Sequence, residues 1–519
     1  MKIAGIYNGH DTSFFVFENG KPLIHAEYER YLRLKEPKAD SYKFMKTVID
    51  VEDIDMWVTV CDGSNPGSEF QKSNKSISYT VGHHTSHAAN AFFSSNINEA
   101  LIITIDGGGL EGGVPGDKPT TLGWYYGKDN KITTLDTHSG GGKNDRAAST
   151  NLGGLWTSYT HDVFGLSIGY PKGAQMGTVM AMAAFGDQSK YIEEMKKGMY
   201  TFKENFKKTT EKDLFDVAAG LQYFTEIEFR NHIKKGIQLF KDKKGYEPDY
   251  LCLAGGTVLN SVCTGKLWDW FEFKDIYIPV TPGDSGMPIG AIQYVWHHKL
   301  DNPRIKWEDN FTPYMGQIYD INRIKSAINK FYNDITLKVV TDDDVIELLE
   351  KQNIISVYGG GAESGRRALG NRSIIADPRF KDMKDMINEK VKHRQWFRPF
   401  APSILREEVK NWFEKDIDSP YMQYVIKFKD SVKDKIQAVV HDNGTGRLQT
   451  VTENDNKWYY NFIKKFKEKT GIPILLNTSF NDREPIVETP EDAIKCFLGT
   501  NIDALYFRDI NTIICKKIK

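Results

Sequence analysis

Cysteine is scarce in this 519-residue chain. The five, Cys61, Cys252, Cys263, Cys496 and Cys515, are scattered, odd in number and form no C-x-x-C pair. That argues against a disulfide framework or a structural zinc site and fits a reducing compartment. Long apolar runs are also missing; no stretch reaches the roughly 18 residues a membrane span needs. The opening MKIAGIYNGHDTS meets polar residues too early for a signal peptide. The expectation is a cytoplasmic, soluble protein with no membrane role. Nor is there an excess of one charge: 68 Lys plus Arg against 69 Asp plus Glu leave a net −1, which disfavours a globally basic nucleic-acid binder. No repeat, low-complexity tract or Pro-rich linker is apparent. What remains is a globular composition, 40% hydrophobic and 26% charged. The length exceeds the ~250–300 residues at which single cores stop growing, so two packed domains are expected, with a boundary near 330–345.

Three apolar strands each end in a polar, Gly-bearing loop. Lys2 to Tyr7 leads into Asn8-Gly9-His10-Asp11-Thr12-Ser13, then Phe14 to Glu18, the turn Asn19-Gly20, and Lys21 to Tyr28. Ala100 to Asp106 is apolar throughout, as a strand covered on both faces would be, and runs into Gly107-Gly108-Gly109. Tyr250 to Ala254 meets Gly255-Gly256-Thr257 and Asn260. This predicts an α/β fold with its ligand at the carboxyl ends of strands. Two acidic loops at Asp11 and Asp106, plus a Gly-Gly loop on the adenosine side, match the layout of the actin and sugar-kinase ATPase fold. The Lys-rich helical middle, about 187–244, reads as solvated helix faces.

His83-His84-Thr85-Ser86-His87 places His83 and His87 four apart, on one face of a helix, where both could hold one metal ion. His84 and His87, three apart, compete for that role, and packing is the ordinary alternative. Asp106 and Asp284, the latter in Pro282-Gly283-Asp284-Ser285-Gly286, would complete an N/O site suited to iron, zinc or manganese.

The C-terminal half holds the strongest pattern. Glu363-Ser364-Gly365-Arg366-Arg367-Ala368-Leu369-Gly370-Asn371-Arg372-Ser373 is followed by Lys392-His393-Arg394 and Phe397-Arg398-Pro399-Phe400. Gly444-Thr445-Gly446-Arg447 and Leu476-Asn477-Thr478-Ser479-Phe480-Asn481 come later. Arginines among Gly, Pro and aromatics are not a solvated charge run. Cations from separate loops, with Asn and Ser donors, imply a pocket for a nucleoside triphosphate or acyl phosphate. Neutralisation by Glu363 and Asp377 is the alternative.

On these residues the chain resembles the nodulation/tobramycin/cephem carbamoyltransferase family along nearly its whole length. The carriers are R-A-L-G-N-R-S-I-I-A-D-P-R, F-R-P-F-A-P-S and N-T-S-F-N, with G-H-D-T-S, H-H-x-x-H-A, I-D-G-G-G, A-G-G-x-x-L-N and G-D-S-G-x-x-x-G-A in order. The resemblance implies an actin-like (sugar-kinase/Hsp70-type) ATPase-fold transfer domain over 1–335 and a YrdC-like α/β domain over 340–519. It implies that the second takes carbamoyl phosphate and ATP, with Mg2+, to carbamoyl-adenylate, and that the first passes the carbamoyl group to an acceptor hydroxyl and leaves AMP. Adenylation supplies the leaving group that a sluggish carbamoyl carbon needs, and shielding the intermediate protects it from water.

Carried over by position, Arg367, Lys392, Arg398, Arg447, Asn477 and Ser479 match the carbamoyl-phosphate and adenylate pocket. His83, His87, Asp106 and Asp284 match a metal site that is usually iron, with zinc or manganese as options. His10, with Asp11, matches the transfer centre as base or orienting group. Lys35 matches a ligand-facing lysine, and Gly107, Gly108, Gly255, Gly256 and Asn260 match the nucleotide loops. The chain departs from the pattern at Ser364 and Arg366, at Glu36, at Asn443, and where the acidic residue after the Asp106 glycines is displaced to Glu111. A small-molecule acceptor is favoured over nucleic acid, and a homodimer stays open. A kinase of the actin-like fold, or carbamoylation of a modified nucleobase, are the competing functions.

Overall fold

The computed structural model describes residues 1–61, 67–112, 117–140, 148–166, 175–196, 210–304 and 313–517. The chain divides into two compact units, Met1–Thr312 and Pro313–Lys519.

The first unit holds β1 (Lys2–Tyr7), β2 (Ser13–Glu18), β3 (Lys21–Glu27), β4 (Met56–Val60), β5 (Tyr79–Val81), β6 (Glu99–Gly109), β7 (Thr120–Lys128), β8 (Lys131–Ser139), β9 (Tyr250–Ala254) and β10 (Asp275–Tyr277). They form two five-stranded sheets, β3-β2-β1-β4-β5 and β10-β9-β6-β7-β8. In each, the first three strands are antiparallel neighbours and the fourth and fifth add parallel to the first. The second sheet therefore repeats the plan of the first, which is the duplicated layout of an actin-like ATPase-type domain. The sequence shows no repeat because what recurs is a burial pattern and a strand order, while the connecting segments differ in length.

Beneath the first sheet, Ala4, Ile6, Phe14, Val16 and Trp57 pack with Tyr42 and Phe44. On β1 the other face is covered as well: a Cβ at Gly5 would stand 2.8 Å from Pro288 O, in the helix Met287–Gln293. The second sheet packs Ile102, Tyr125 and Cys252 against Ala88, Ala91 and Phe92 of the helix His83–Phe93. The hairpin turn at Asn19-Gly20 has both residues at positive φ (48° and 90°), the left-handed geometry this dipeptide favours. The middle segment contributes the helix Glu211–Lys244, opened by a Thr210/Asp213 capping box and closed by Gly245 at φ 82°.

The second unit holds β11 (Ile335–Val339), β12 (Ile355–Tyr358), β13 (Arg372–Ala376), β14 (Ala401–Leu405), β15 (Tyr424–Lys427), β16 (Thr445–Val451), β17 (Ile474–Ser479), β18 (Ala504–Phe507) and β19 (Thr512–Lys516). They form one mixed nine-stranded sheet, β11-β19-β18-β12-β13-β17-β14-β16-β15. The division between units lies ahead of the expected 330–345 boundary. The helix Ile321–Lys330, placed with the first domain on sequence grounds, joins the second: Arg323 and Lys330 both pair with Glu491.

The cysteines are unbonded; Cys61, Cys252, Cys263 and Cys496 are buried and Cys515 is half-buried. No helix among the described residues is long and apolar enough to cross a membrane.

Candidate active site

In the first unit the site forms where the strand ends of the two sheets meet. The connection after β1 carries His10 and Asp11. Asp11 sits at φ 62°, a left-handed conformation uncommon for a side-chain-bearing residue, and its Oδ2 lies 3.3 Å from His10 Nδ1. The equivalent position near the end of β6 carries Asp106. The β6–β7 ladder slips register between Ile105 and Gly109, so Asp106, Gly107 and Gly108 leave the pairing and re-aim toward the site. Gly107 N donates to Asp106 Oδ1 at 2.7 Å. After β9, Gly255 stands at φ 102°, and a Cβ there would meet Ile105 O at 2.2 Å; a Cβ at Gly256 would lie 3.1 Å from Asp106 Oδ1. The Gly255-Gly256 loop therefore presses against the Asp106 loop.

The helix His83–Phe93 brings the imidazoles. His83 Nε2 and His87 Nε2 lie 3.1 and 3.0 Å from Asp106 Oδ2. They lie 3.8 and 3.4 Å from Asp284 Oδ1. One ligand atom from each of these four residues falls within 4.8 Å of the others. Two neutral-capable nitrogens and two carboxylate oxygens at that spacing fit a divalent first-row cation. His84 is not part of it. Its ring bonds Thr104 Oγ1 and Thr120 O, both at 2.7 Å, and burial, with His83 and His87 adding, holds its pKa well below the ordinary value. The competition between His84 and His87 is thus settled by which face of the helix meets Asp106.

Burial alone would raise the Asp106 carboxyl, but hydrogen bonds from His83 and His87 hold it well below the usual range. Burial likewise works against a charge on His10. Asp284, then Asp11 and Asp106, overcome it and push the imidazole up to about 10. His10 Nε2 lies 3.2 Å from Asp284 Oδ2, and 45% of its side chain stays open to solvent against 5% for Asp284. His10 therefore faces outward from the cluster, and a bound cation would compete with its proton for the same carboxylates. Sequence reasoning missed Tyr7, whose hydroxyl donates to Asp284 Oδ2 at 2.9 Å. An aromatic closing a strand carries no signal of that role.

Lys35 is half-buried in a segment whose neighbours reach the His10 loop: Thr12 N donates to Pro37 O (3.4 Å) and Ala39 N to Thr12 Oγ1 (2.9 Å). The Asn260 side chain caps Cys263 N and donates to Gln222 Oε1 at 2.8 Å. Lysines of the middle segment have partners of their own: Lys190 and Lys212 pair with Asp216, Lys235 with Asp136 and Lys241 with Glu247.

In the second unit, Arg367 comes from one loop, Arg394 and Arg398 from another and Arg447 from β16, and the four sense one another. Burial first, then Arg366 and Arg398, pushes Arg367 down to about 10. Burial and Arg398 lower Arg394; burial lowers Arg398; burial, Arg367, Arg398 and Arg394 lower Arg447. A guanidinium does not lose its proton at neutral pH. The downward push records like charges crowded away from water, a cost an anion would relieve.

The two carboxylates expected to neutralise them are used elsewhere. Glu363 Oε1 accepts from the backbone N–H of Leu369, Asn371 and Arg372 at 2.8–3.1 Å. Asp377 takes Arg379 in a forked pair, 2.6 Å at the shortest. Arg367, Arg394 and Arg398 have no carboxylate partner among the described residues.

Lys392 is buried and anchored by Ser479 and by Asn481 (Oδ1 at 2.6 Å). Asn477 Nδ2 ties the Arg367 loop to β16 through Ala368 O (3.0 Å) and Gln449 Oε1 (2.8 Å). Arg394 has no role assigned to it by the sequence. Its Nε bonds Asn388 Oδ1 at 2.7 Å and its guanidinium stacks 4.7 Å from the Phe400 ring, which holds it rigid beside Arg398. Arg372, in contrast, is structural, spent on Gly359 O and Gly360 O over the Tyr358 ring.

A His/Asp cluster with the spacing of metal ligands lies in the duplicated sheet domain, and a group of crowded arginines lies on the separate mixed sheet. The chain belongs to the carbamoyltransferase family and is a carbamoyl-transferring enzyme: profiles described as Carbamoyltransferase N-terminus and Carbamoyltransferase C-terminus match residues 204–293 and 346–514. It is 31% identical to the protein sll1178 of Synechocystis, over 82% of this chain and 74% of that one. It is 30% identical to nodulation protein NolO of Bradyrhizobium diazoefficiens, over 82% and 77%. Full-length HypF in its phosphate- and nucleotide-bound form aligns over 58% of this chain and 56% of that one, at 12% identity and a TM-score of 0.33.

Proposed function

We propose that this protein is an ATP-dependent O-carbamoyltransferase that consumes carbamoyl phosphate. The observation that carries the reading is the gathering of Arg367, Arg394, Arg398 and Arg447 while Glu363 and Asp377 are committed elsewhere. A pocket of that charge suits a polyphosphate together with an acyl phosphate. In this reading the second unit is the YrdC-like, adenylate-forming domain, and Lys392, Asn477 and Ser479 shape the pocket. Phosphate and pyrophosphate both leave, so one water must enter. Water takes the phosphoryl group of carbamoyl phosphate, the P–O bond breaks, and carbamate remains. The carbamate oxygen then attacks the α-phosphorus of Mg2+-bound ATP, and pyrophosphate departs.

The first unit spends the product. An acceptor hydroxyl attacks the carbamoyl carbon, AMP leaves, and the hydroxyl proton passes to a base. His10, outward-facing beside Asp11, donates to the carbamoyl oxygen, or takes that proton once a bound cation has drawn Asp284 and Asp106 away from it, with Lys35 nearby. Gly107, Gly108, Gly255 and Gly256 let backbone approach the adenylate, with Asn260 behind them. His83, His87, Asp106 and Asp284 would hold a divalent cation, iron before zinc or manganese, which when bound supplies a Lewis acid for the carbamoyl oxygen. The acceptor is a small hydroxyl-bearing molecule; Lys190, Lys212, Lys235 and Lys241 of the middle segment are already paired with carboxylates, which gives no support to nucleic acid.

A small-molecule kinase would account for the first unit but leave the arginine pocket without a task. The nucleotide product separates the readings. With carbamoyl phosphate, ATP and a hydroxyl acceptor, AMP and pyrophosphate are expected, both dependent on carbamoyl phosphate. ADP, or ATP left intact, would overturn the proposal.

A further inference from the structure

The helix that presents His83 and His87 is held at both ends by side chains from elsewhere in the unit. Its N-cap, Gly82, has no side chain, so the first N–H groups need outside acceptors. The segment following β6 provides them. His83 N donates to Leu110 O at 3.0 Å. Glu111 Oε1 accepts from His84 N and from Thr85 N, the latter at 3.4 Å, and Glu111 Oε2 accepts from Thr85 Oγ1 at 2.7 Å. Glycine at 82 admits that carboxylate, since a Cβ there would lie 2.3 Å from Glu111 Oε2. At the far end, Arg304 Nη2 donates to Phe92 O (2.6 Å) and Ser95 O (2.5 Å), Nη1 donates to Ile97 O, and the guanidinium stacks 4.3 Å from the Phe92 ring. An acid at the N-terminus and a base at the C-terminus is the order the helix dipole favours.

Glu111 has a consequence that Arg304 does not share. It lies on the same segment as Asp106, so one stretch of chain supplies a carboxylate of the cluster and the cap of the helix that brings the two imidazoles. We propose that Glu111 is a positioning residue of the metal centre: by bonding His84 and Thr85 it fixes the height of the helix, and so sets His83 and His87 against Asp106. The inference rests on the reading of His83, His87, Asp106 and Asp284 as a cation site. It also gives a task to an acidic residue that falls one place out of the family pattern.

The test uses full-length metal-free protein and Co2+ as the probe, with affinity from chelator competition and the d–d absorption bands as a signature of ligand geometry. Removing an outer partner of a metal ligand costs roughly 10–100-fold in affinity. Glu111→Ala is expected to weaken Co2+ binding by about that much and to alter the bands. Glu111→Gln, whose amide oxygen still accepts from both N–H groups and whose amide N–H can donate to Thr85 Oγ1, is expected to stay within about threefold of wild type. Thr85→Val loses the hydroxyl bond alone and should show a smaller drop, which keeps the test decisive if Glu111→Ala does not fold by circular dichroism. Wild-type affinity and bands in folded Glu111→Ala, or in Thr85→Val where the former is lost, would overturn the proposal. So would an equal fall in Glu111→Gln, which would make charge rather than hydrogen bonding the cause. Wild-type protein that binds no Co2+ would instead defeat the cation-site reading on which this rests.

Discussion

In the first unit, imidazoles and carboxylates approach to 3.0–3.8 Å, nitrogen against oxygen. In the second, four guanidiniums crowd together, and Glu363 and Asp377 have been drawn off to backbone N–H groups and to Arg379. The first centre sets imidazole nitrogens against carboxylate oxygens, so its polar groups are partnered although they are largely buried. In the second, Arg367, Arg394 and Arg398 have no carboxylate partner among the described residues, which suits a site that fills and empties with anionic substrates. The difference teaches that a buried ion cluster and a substrate pocket can be told apart by where the counter-charges go. Here they go inward in one unit and away in the other.

The comparison breaks most sharply in the arginine pocket. Arg447→Ala or Arg398→Ala should lower kcat/KM for carbamoyl-phosphate-dependent pyrophosphate release by about 10²–10³-fold, the usual cost of removing one preorganised electrostatic group. A pyrophosphate assay on each variant measures it. Asp106→Asn and His87→Ala should cut carbamoyl transfer to the acceptor by about 10²-fold through loss of the cation, while pyrophosphate release stays near wild type. Metal analysis and mass spectrometry of the acceptor check the two halves of that statement; a parallel loss in both would merge the centres into one. Gly290→Ala should destabilise the first unit by roughly 1–3 kcal/mol, because a Cβ there would stand 1.9 Å from Ser86 O between the helices carrying the cluster. Thermal unfolding reads it. The smallest effect is expected at Tyr7→Phe. Losing one hydrogen bond to Asp284 should cost about 0.5–1.5 kcal/mol in transfer and nothing in adenylation, as paired rate measurements would show.

Much of the fold and of the two centres is legible in the amino-acid sequence. Lys2 to Tyr7 and Tyr250 to Ala254 read as strands because apolar runs bounded by glycine are a local signal, and they are β1 and β9. His83, His87, Asp106 and Asp284 stand out by spacing and loop position, and the fold brings them together. The arginines are conspicuous because Gly and Pro neighbours rule out a solvated helix face.

What escapes depends on tertiary register. Nothing local separates His84 from His87; only the face that Asp106 meets decides it. Arg394 looks like the basic end of K-H-R until Phe400 and Asn388 pin it beside Arg398. Glu111 and Tyr7 act through partners in other strands and helices. The duplicated sheet is hidden because strand order is a property of space, not of spacing.

The thiols bear on how these ideas can be pursued. Burial pushes Cys252 up to about 12 and Cys263 well above its ordinary value, and it raises Cys515 as well, so the reactive thiolate is suppressed at all three. With Cys61 and Cys496 also buried, slow reaction with maleimide reagents is expected, with the half-buried Cys515 the first to react. A single cysteine engineered beside either centre would therefore carry a fluorophore or spin label against little background. Each half of the reaction could then be followed on its own, in real time, in one polypeptide.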